Sequence, residues 1–236
     1  MDEILAERLR GLQARIAAAC ASAGRDPKTV LVIAVTKGVA PELAAAACRL
    51  GLTDLGENRL QDALPRMQAL AEQGLRPRWH FIGRLQANKA AKVAAAFATV
   101  DAVDSLALAE RLDRAARGLG HRLPVLLQVN TAEDPAKQGL RPVELAKVAT
   151  AVTGLPGLAL EGLMTIGRLG AQGPESAAAF ARLAELRQAL RHLLPDLGLP
   201  RLSMGMSEDF ESALAHGATE LRIGSLLFGG LAAAAT

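Results

Sequence analysis

Only six lysines stand against twenty-one arginines in this chain of 236 residues. One of them, Lys37, closes the apolar run Leu31-Val32-Ile33-Ala34-Val35-Thr36. The run is rich in β-branched residues, with Asp26-Pro27 before it and Gly38 and Pro41 after it, the pattern of a buried strand. A primary amine beside such a strand is expected to be partly desolvated, which lowers its pKa and raises the neutral, nucleophilic fraction. That is the state from which an amine condenses with an aldehyde to a Schiff base. The competing reading is a lysine that starts a loop and points into water. Far along the chain, Arg222-Ile223-Gly224-Ser225 follows another apolar stretch, with Ser203 and Ser207 not far upstream.

The elements that would position these residues alternate along the chain. Ile4, Leu5, Leu9, Leu12 and Ile16 have helical spacing, and Gly24 ends that first segment. After Lys37, a helix from Pro41 to Leu50 leads to a short strand, Thr53–Leu55, and then to Gly56-Glu57-Asn58. The next helix runs from Arg59 to about Gln73, and Pro65 is expected to kink or break it. Further strands are expected at Arg78–Gly83, Thr99–Val103, Leu123–Val129 and Leu158–Ile166, with Ser105 as a helix N-cap. The glycine-rich stretch Gly167–Gly173 follows. A brief strand around Leu202-Ser203, a helix Glu208–His216 and a last strand Thr219–Ile223 complete the pattern. Eight strand–helix repeats with apolar strands imply a parallel sheet covered by helices. At this length a single closed (β/α)8 TIM barrel over residues 1–236, with an extra N-terminal helix, suits the pattern better than an open sheet.

Composition narrows the function classes. The net charge of +3 comes with dispersed arginines and few aromatics, which argues against nucleic acid as a partner. Cys20 and Cys48 make neither a metal-ligand pattern nor a disulfide framework, so no metal is expected and a reducing compartment is. The start, Met1-Asp2-Glu3, is acidic rather than signal-like, and no apolar run is long enough to span a membrane. A cytoplasmic protein with no membrane partner is the expectation.

Lys37, Asn58, His80, Asn130, Met164, Ser203, Ser207, Arg222 and Gly224 all fall at or just beyond the carboxyl end of an expected strand. In a barrel those ends converge on the one face where sites are built. Individually, His80 also reads as a satisfied core histidine, Asn58 as a turn residue and Ser207 as the N-cap of the helix beginning at Glu208. The glycine turn after the last strand offers amides to a phosphate, and the hydroxyls of Ser203, Ser207 and Ser225 add donors. A phosphate site with a strand-end lysine suggests pyridoxal 5′-phosphate. A phosphorylated sugar on a Schiff-base lysine, as in aldolases, fits the same two features.

Six ordered strings carry a resemblance that decides between them. They are Ala34-Val35-Thr36-Lys37, Gly56-Glu57-Asn58-Arg59, the stretch from Trp79-His80-Phe81-Ile82-Gly83 through Gln86-Ala87-Asn88-Lys89, Gly162-Leu163-Met164-Thr165-Ile166, Leu202-Ser203-Met204-Gly205-Met206-Ser207 and Leu221-Arg222-Ile223-Gly224. Together they resemble the pyridoxal phosphate homeostasis proteins, the YggS/PROSC-like family, over nearly the whole chain. The resemblance implies a barrel of the alanine-racemase N-terminal type that holds pyridoxal 5′-phosphate as a lysine Schiff base. It implies a role in intracellular vitamin B6 homeostasis, with no catalytic residues. Thr36 stands where that family usually has serine, and Gly38-Val39-Ala40-Pro41 replaces its more common turn.

By matching motif, Lys37 would be the cofactor lysine and Arg222 would face the pyridine nitrogen. Gly224 and Ser225 amides, with Ser207 and Ser203, would hold the phosphate, while Asn58, His80 and Met164 would line the site. Arginine cannot accept a proton, so a nitrogen facing it stays largely unprotonated and is a poor electron sink. That suits storage of an aldehyde more than carbanion chemistry. The alternative is an amino-acid racemase-like enzyme of the resembling fold, which uses a tyrosine and a second domain. This chain has no tyrosine, and it ends where the barrel is expected to close. A monomer is expected, with apo-enzymes that receive the cofactor as partners.

Overall fold

The computed structural model describes residues 2–132, 134, 137–166 and 174–231, so the stretch Gly167–Gly173 lies outside the described residues. Eight strands form a closed barrel: β1 (Leu31–Val35), β2 (Asp54–Glu57), β3 (Arg78–Phe81), β4 (Thr99–Val103), β5 (Leu123–Gln128), β6 (Leu158–Met164), β7 (Arg201–Met206) and β8 (Glu220–Ile223). Each pairs in parallel with the next, and β8 closes on β1 with Leu31 opposite Glu220 and Ala34 opposite Ile223. Parallel strands need crossover connections, and helices supply them. They are α2 (Pro41–Arg49), α3 (Leu60–Glu72), α4 (Ala90–Ala96), α5 (Leu106–Gly118), α6 (Pro142–Thr153), α7 (Pro174–Leu193) and α8 (Phe210–Ala215). A preceding helix, α1 (Asp2–Ser22), buries Leu5, Leu9, Leu12 and Ile16 against the outer core, as the spacing predicts, and adds Cys20, whereas Ile4 is exposed.

The main core lies between barrel and helices, where Leu55, Phe81, Val100, Leu127, Leu163 and Leu221 meet the apolar helix faces. Inside the barrel, space is tight. A Cβ on Gly56 would come 2.9 Å from both the Ile33 and Ile82 side chains, so any larger residue there would force them to repack.

Three local expectations are corrected. Helix α3 continues through Pro65, which removes one donor without ending the helix. Strand β7 runs six residues instead of being a brief strand around Leu202-Ser203, and its next-to-last residue is the left-handed Gly205 (φ 91°), where an added Cβ would come 2.6 Å from that of Ala213. Helix α8 begins at Phe210 with Asp209 in the capping position, so Ser207 is not its N-cap. Asp209 Oδ1 instead accepts from the Met206 amide at 2.7 Å. Ser105 does cap α5, accepting from the Leu108 amide at 3.3 Å.

Candidate functional site

Strand β1 delivers Lys37 to the carboxyl-terminal rim. Thr36 and Val39 are buried, whereas Lys37 and the left-handed Gly38 (φ 69°) between them are exposed. The expected desolvation of the amine is therefore absent: β1 ends at Val35, and the lysine projects from the turn beyond it. The turn itself is held from behind. The Thr36 amide donates to the Gly56 carbonyl at 3.0 Å, and the Thr36 hydroxyl donates to Glu57 Oε1 at 2.5 Å.

The next strand across the seam carries the glycine turn. Because Ala34 pairs with Ile223, Gly224 lies against Val35, whose Cβ would be 3.5 Å from an added methyl. Gly224 opens a single-turn helix, α9 (Ser225–Phe228), whose first amides have no helical carbonyl to receive them. The Leu226 amide donates to Ser207 Oγ at 3.3 Å, which brings the β7 and β8 turns together. Gly224, Ser225 and Ser207 thus converge beside Lys37's strand. Such a rim of amides and hydroxyls suits a phosphate.

Below that turn, Arg222 is buried and uses its fork on neutral acceptors. It donates to Ser203 Oγ at 2.8 Å and to the Thr165 carbonyl at 2.7 Å. Burial pulls its guanidinium below the ordinary value, while the charges of Asp101, Asp209 and Glu220 oppose that. Ser203 is therefore Arg222's partner and not a free rim hydroxyl. Met164, at the end of β6, packs with Ala102, Leu126 and Ile166 in a small apolar cluster apart from the main core. Asn58 lies half-buried beyond β2, in a cleft of about 690 Å³ that it shares with Phe81, Arg84 and Lys89. Gly83 of the β3 turn presses on the Asn58 backbone so closely that a Cβ would sit 2.3 Å from its carbonyl oxygen. This explains the glycine after Phe81-Ile82.

His80 is elsewhere. The structure does not bring it to the rim. Its ring is fully buried within the barrel, with Nε2 2.9 Å from Asp54 and Nδ1 3.2 Å from Asp101. Asp54 is the first residue of β2, and Arg201, which joins Asp101 at 3.1 Å, is the first of β7. Arg201 also pairs with Glu220, the first residue of β8, and with Glu161 at 3.1 Å. Both ring nitrogens are thus engaged toward the amino-terminal end of the barrel, the satisfied core histidine of the bland alternative. Burial alone would lower its pKa, but the hydrogen bonds to Asp101 and Asp54 outweigh it and raise it to about 9 from 6.5.

That shift has a stability consequence. A group whose folded pKa is raised contributes fully below its unfolded value and loses that contribution as pH rises through the folded one. Between pH 6.5 and about 9 the protein is expected to lose about 2–3 kcal/mol of stability through His80. Urea unfolding across this range measures it. His80→Gln should be less stable at pH 6.5 and show a flatter profile, and an equal slope in both proteins would contradict the assignment.

Two residues that sequence reading passed over complete the rim. Glu57, fully buried at the end of β2, pairs with Arg66 of α3, and Arg66 Nε and Nη2 donate to the Val39 carbonyl at 3.0 and 2.8 Å. The available signal was an acid inside an otherwise buried strand end, Gly56-Glu57-Asn58.

Comparison with known proteins agrees with this arrangement. Residues 8–232 match the family model described as alanine racemase, N-terminal domain. A pyridoxal phosphate homeostasis protein of Pseudomonas aeruginosa is 44% identical over 225 residues, covering 95% of each chain. PipY of Synechococcus elongatus, solved without and with PLP bound, superposes with TM-scores of 0.86 and 0.85 at 38% and 37% identity, covering 95% of this chain and 100% of that one. An alanine racemase of Clostridium difficile shares the fold alone, at 15% identity and TM-score 0.76, with 94% of this chain covering 56% of the racemase. With its barrel, its six motifs and these relatives in agreement, the chain belongs to the alanine racemase N-terminal domain family and, within it, to the pyridoxal phosphate homeostasis proteins.

Proposed function

We propose that this protein holds pyridoxal 5′-phosphate as a Schiff base on Lys37 and serves intracellular vitamin B6 homeostasis, working as one barrel domain. The observation that carries the reading is the adjacency of the exposed Lys37 turn and the Gly224-Ser225 turn across the β1–β8 pairing. The PLP-bound PipY structure, at 37% identity, supports the cofactor. When bound, the cofactor supplies an aldehyde that condenses with an amine. The chain's own residues bind and orient it: Gly224 and Ser225 amides and the Ser207 hydroxyl take the phosphate, and Arg222, kept in place by Ser203 and Thr165, faces the ring nitrogen. Asn58 and Met164 border the site. His80 acts only through the ion network beneath it.

A guanidinium at the ring nitrogen and the absence of tyrosine favour a carrier over a racemase. The reading implies a cytoplasmic monomer whose partners are apo-enzymes that take up the cofactor. Among the described residues no helix is long and apolar enough to cross a membrane. Borohydride reduction of the purified protein, followed by digestion, should place the phosphopyridoxyl group on Lys37. The same preparation should show no appreciable turnover of amino acids. Labelling mainly at Lys89 or Lys137 would refute the assignment, and turnover on the order of one per second, lost in Lys37→Ala, would restore the racemase.

A further inference from the structure

The lysine turn is clamped at both ends by one buried ion pair. Glu57 takes the Thr36 hydroxyl through Oε1 and receives Arg66 at the same oxygen, while Arg66 turns its other two donors to the Val39 carbonyl. The Val39 amide closes the turn onto the Thr36 carbonyl at 3.0 Å. Only Lys37 and Gly38, between the two gripped residues, reach solvent. The pair is costly as a stabilising device: Glu57 is fully buried, and its Oε2 has no hydrogen-bond partner. A buried pair of this kind contributes little net stability compared with apolar replacements of similar size.

We propose that Glu57 and Arg66 are positioning residues for Lys37, fixing the Thr36–Val39 turn so that the amine meets the cofactor aldehyde at one place beside the Gly224 turn. The inference rests on the assignment of Lys37 as the cofactor lysine. Neither residue touches the cofactor in this scheme. Glu57 acts through Thr36, and Arg66 acts through Val39. A lysine on a loose turn keeps its chemistry and loses its placement, and misplacement of a reacting group by about 1 Å costs up to about 100-fold.

The test pairs a cofactor-free measurement with a binding one, in the full chain. Glu57→Gln/Arg66→Met removes both charges together, which avoids stranding either of them. The double variant should fold, with a modestly lower melting temperature because the Val39 carbonyl loses its donors. Amide hydrogen exchange at Gly38 and Val39 in the cofactor-free protein should accelerate at least about tenfold. Affinity for pyridoxal 5′-phosphate, read from the visible absorbance of the Schiff base, should fall at least about tenfold. Arg66→Lys, which keeps the charge but loses the two-pronged grip on Val39, should lie between parent and double variant. Unchanged exchange in the folded double variant overturns the clamp, and faster exchange with unchanged affinity overturns the positioning role. If the double variant does not fold, Arg66→Lys decides: parental exchange or affinity there overturns the proposal. Failure of the parent to bind at Lys37 would instead refute the proposed function, and the exchange measurement would still report on the clamp.

Discussion

Arg222→Glu is expected to lose about 3–5 kcal/mol of stability and most of the protein's hold on its cofactor. Arg222 is 4% exposed and is the donor to both Ser203 Oγ and the Thr165 carbonyl. A glutamate there leaves the buried carbonyl without its donor. It also adds a negative charge where Asp101, Asp209 and Glu220 already act on the position. Urea unfolding measures the loss, and a change below about 1 kcal/mol would show that the site tolerates the charge. Arg222→Gln retains a donor without the charge and separates holding from chemistry. With the positive charge gone, the ring nitrogen should bind its proton more tightly, so its pKa should rise. Nitrogen-15 NMR of labelled cofactor in parent and variant reads this directly. An unchanged titration in a folded, cofactor-bearing Arg222→Gln protein would mean that Arg222 does not face that nitrogen.

Arg201→Met should be comparably severe, about 3–5 kcal/mol, and for a purely structural reason. Arg201 is the cation that Asp101, Glu220 and Glu161 share. Asp101 is fully buried and Glu220 nearly so. Burial drives the Asp101 carboxyl up, but His80 and Arg201 hold it below the ordinary value, whereas Glu220 is raised by burial and by Asp101. Removing Arg201 leaves the buried carboxylates of Asp54, Asp101 and Glu220 around one histidine. The contrast is the Arg15–Glu211 pair, whose side chains are 47% and 42% exposed. Solvent screening limits such a pair to about 0–1 kcal/mol. Arg201→Met/Glu220→Leu should recover part of the loss, because it removes an acid together with its cation. Chemical denaturation of the single and double variants checks this, and a cost for Arg201→Met no larger than that of Arg15→Met would refute it.

How much of this was legible in the chain depends on the range of the interaction involved. The β-branched run ending at Thr36-Lys37, the apolar stretch Leu123–Val129 and the glycine after Ile223 are local signals. Strand, helix and turn preferences act over a few residues, and eight repeats of them already imply a closed parallel barrel. The strings around Lys37, Asn58, Ser207 and Arg222 likewise pointed to the family before any coordinate.

Depth along the barrel axis is a different quantity. Strand alternation tells which side chains point inward, but strand tilt and stagger decide the height at which each one sits. His80 was expected at the rim because it falls near the carboxyl end of its strand and within the motif Trp79-His80-Phe81-Ile82-Gly83. The barrel instead joins it to Asp54 and Asp101, 26 and 21 residues away. The Ser207 hydroxyl meets the Leu226 amide across 19 residues. Glu57 reaches back 21 residues to Thr36, and Arg66 reaches back 27 to Val39. None of these pairings leaves a local trace, because each partner has an ordinary reading in its own segment. The tertiary structure also decided the exposure of Lys37, since what surrounds a residue just past a strand end is set by neighbouring turns rather than by the strand before it. The sequence by itself therefore determined the barrel and the family. Only closure of the barrel decided which polar residues serve the rim and which hold its floor, because that depends on stagger between strands distant in the chain.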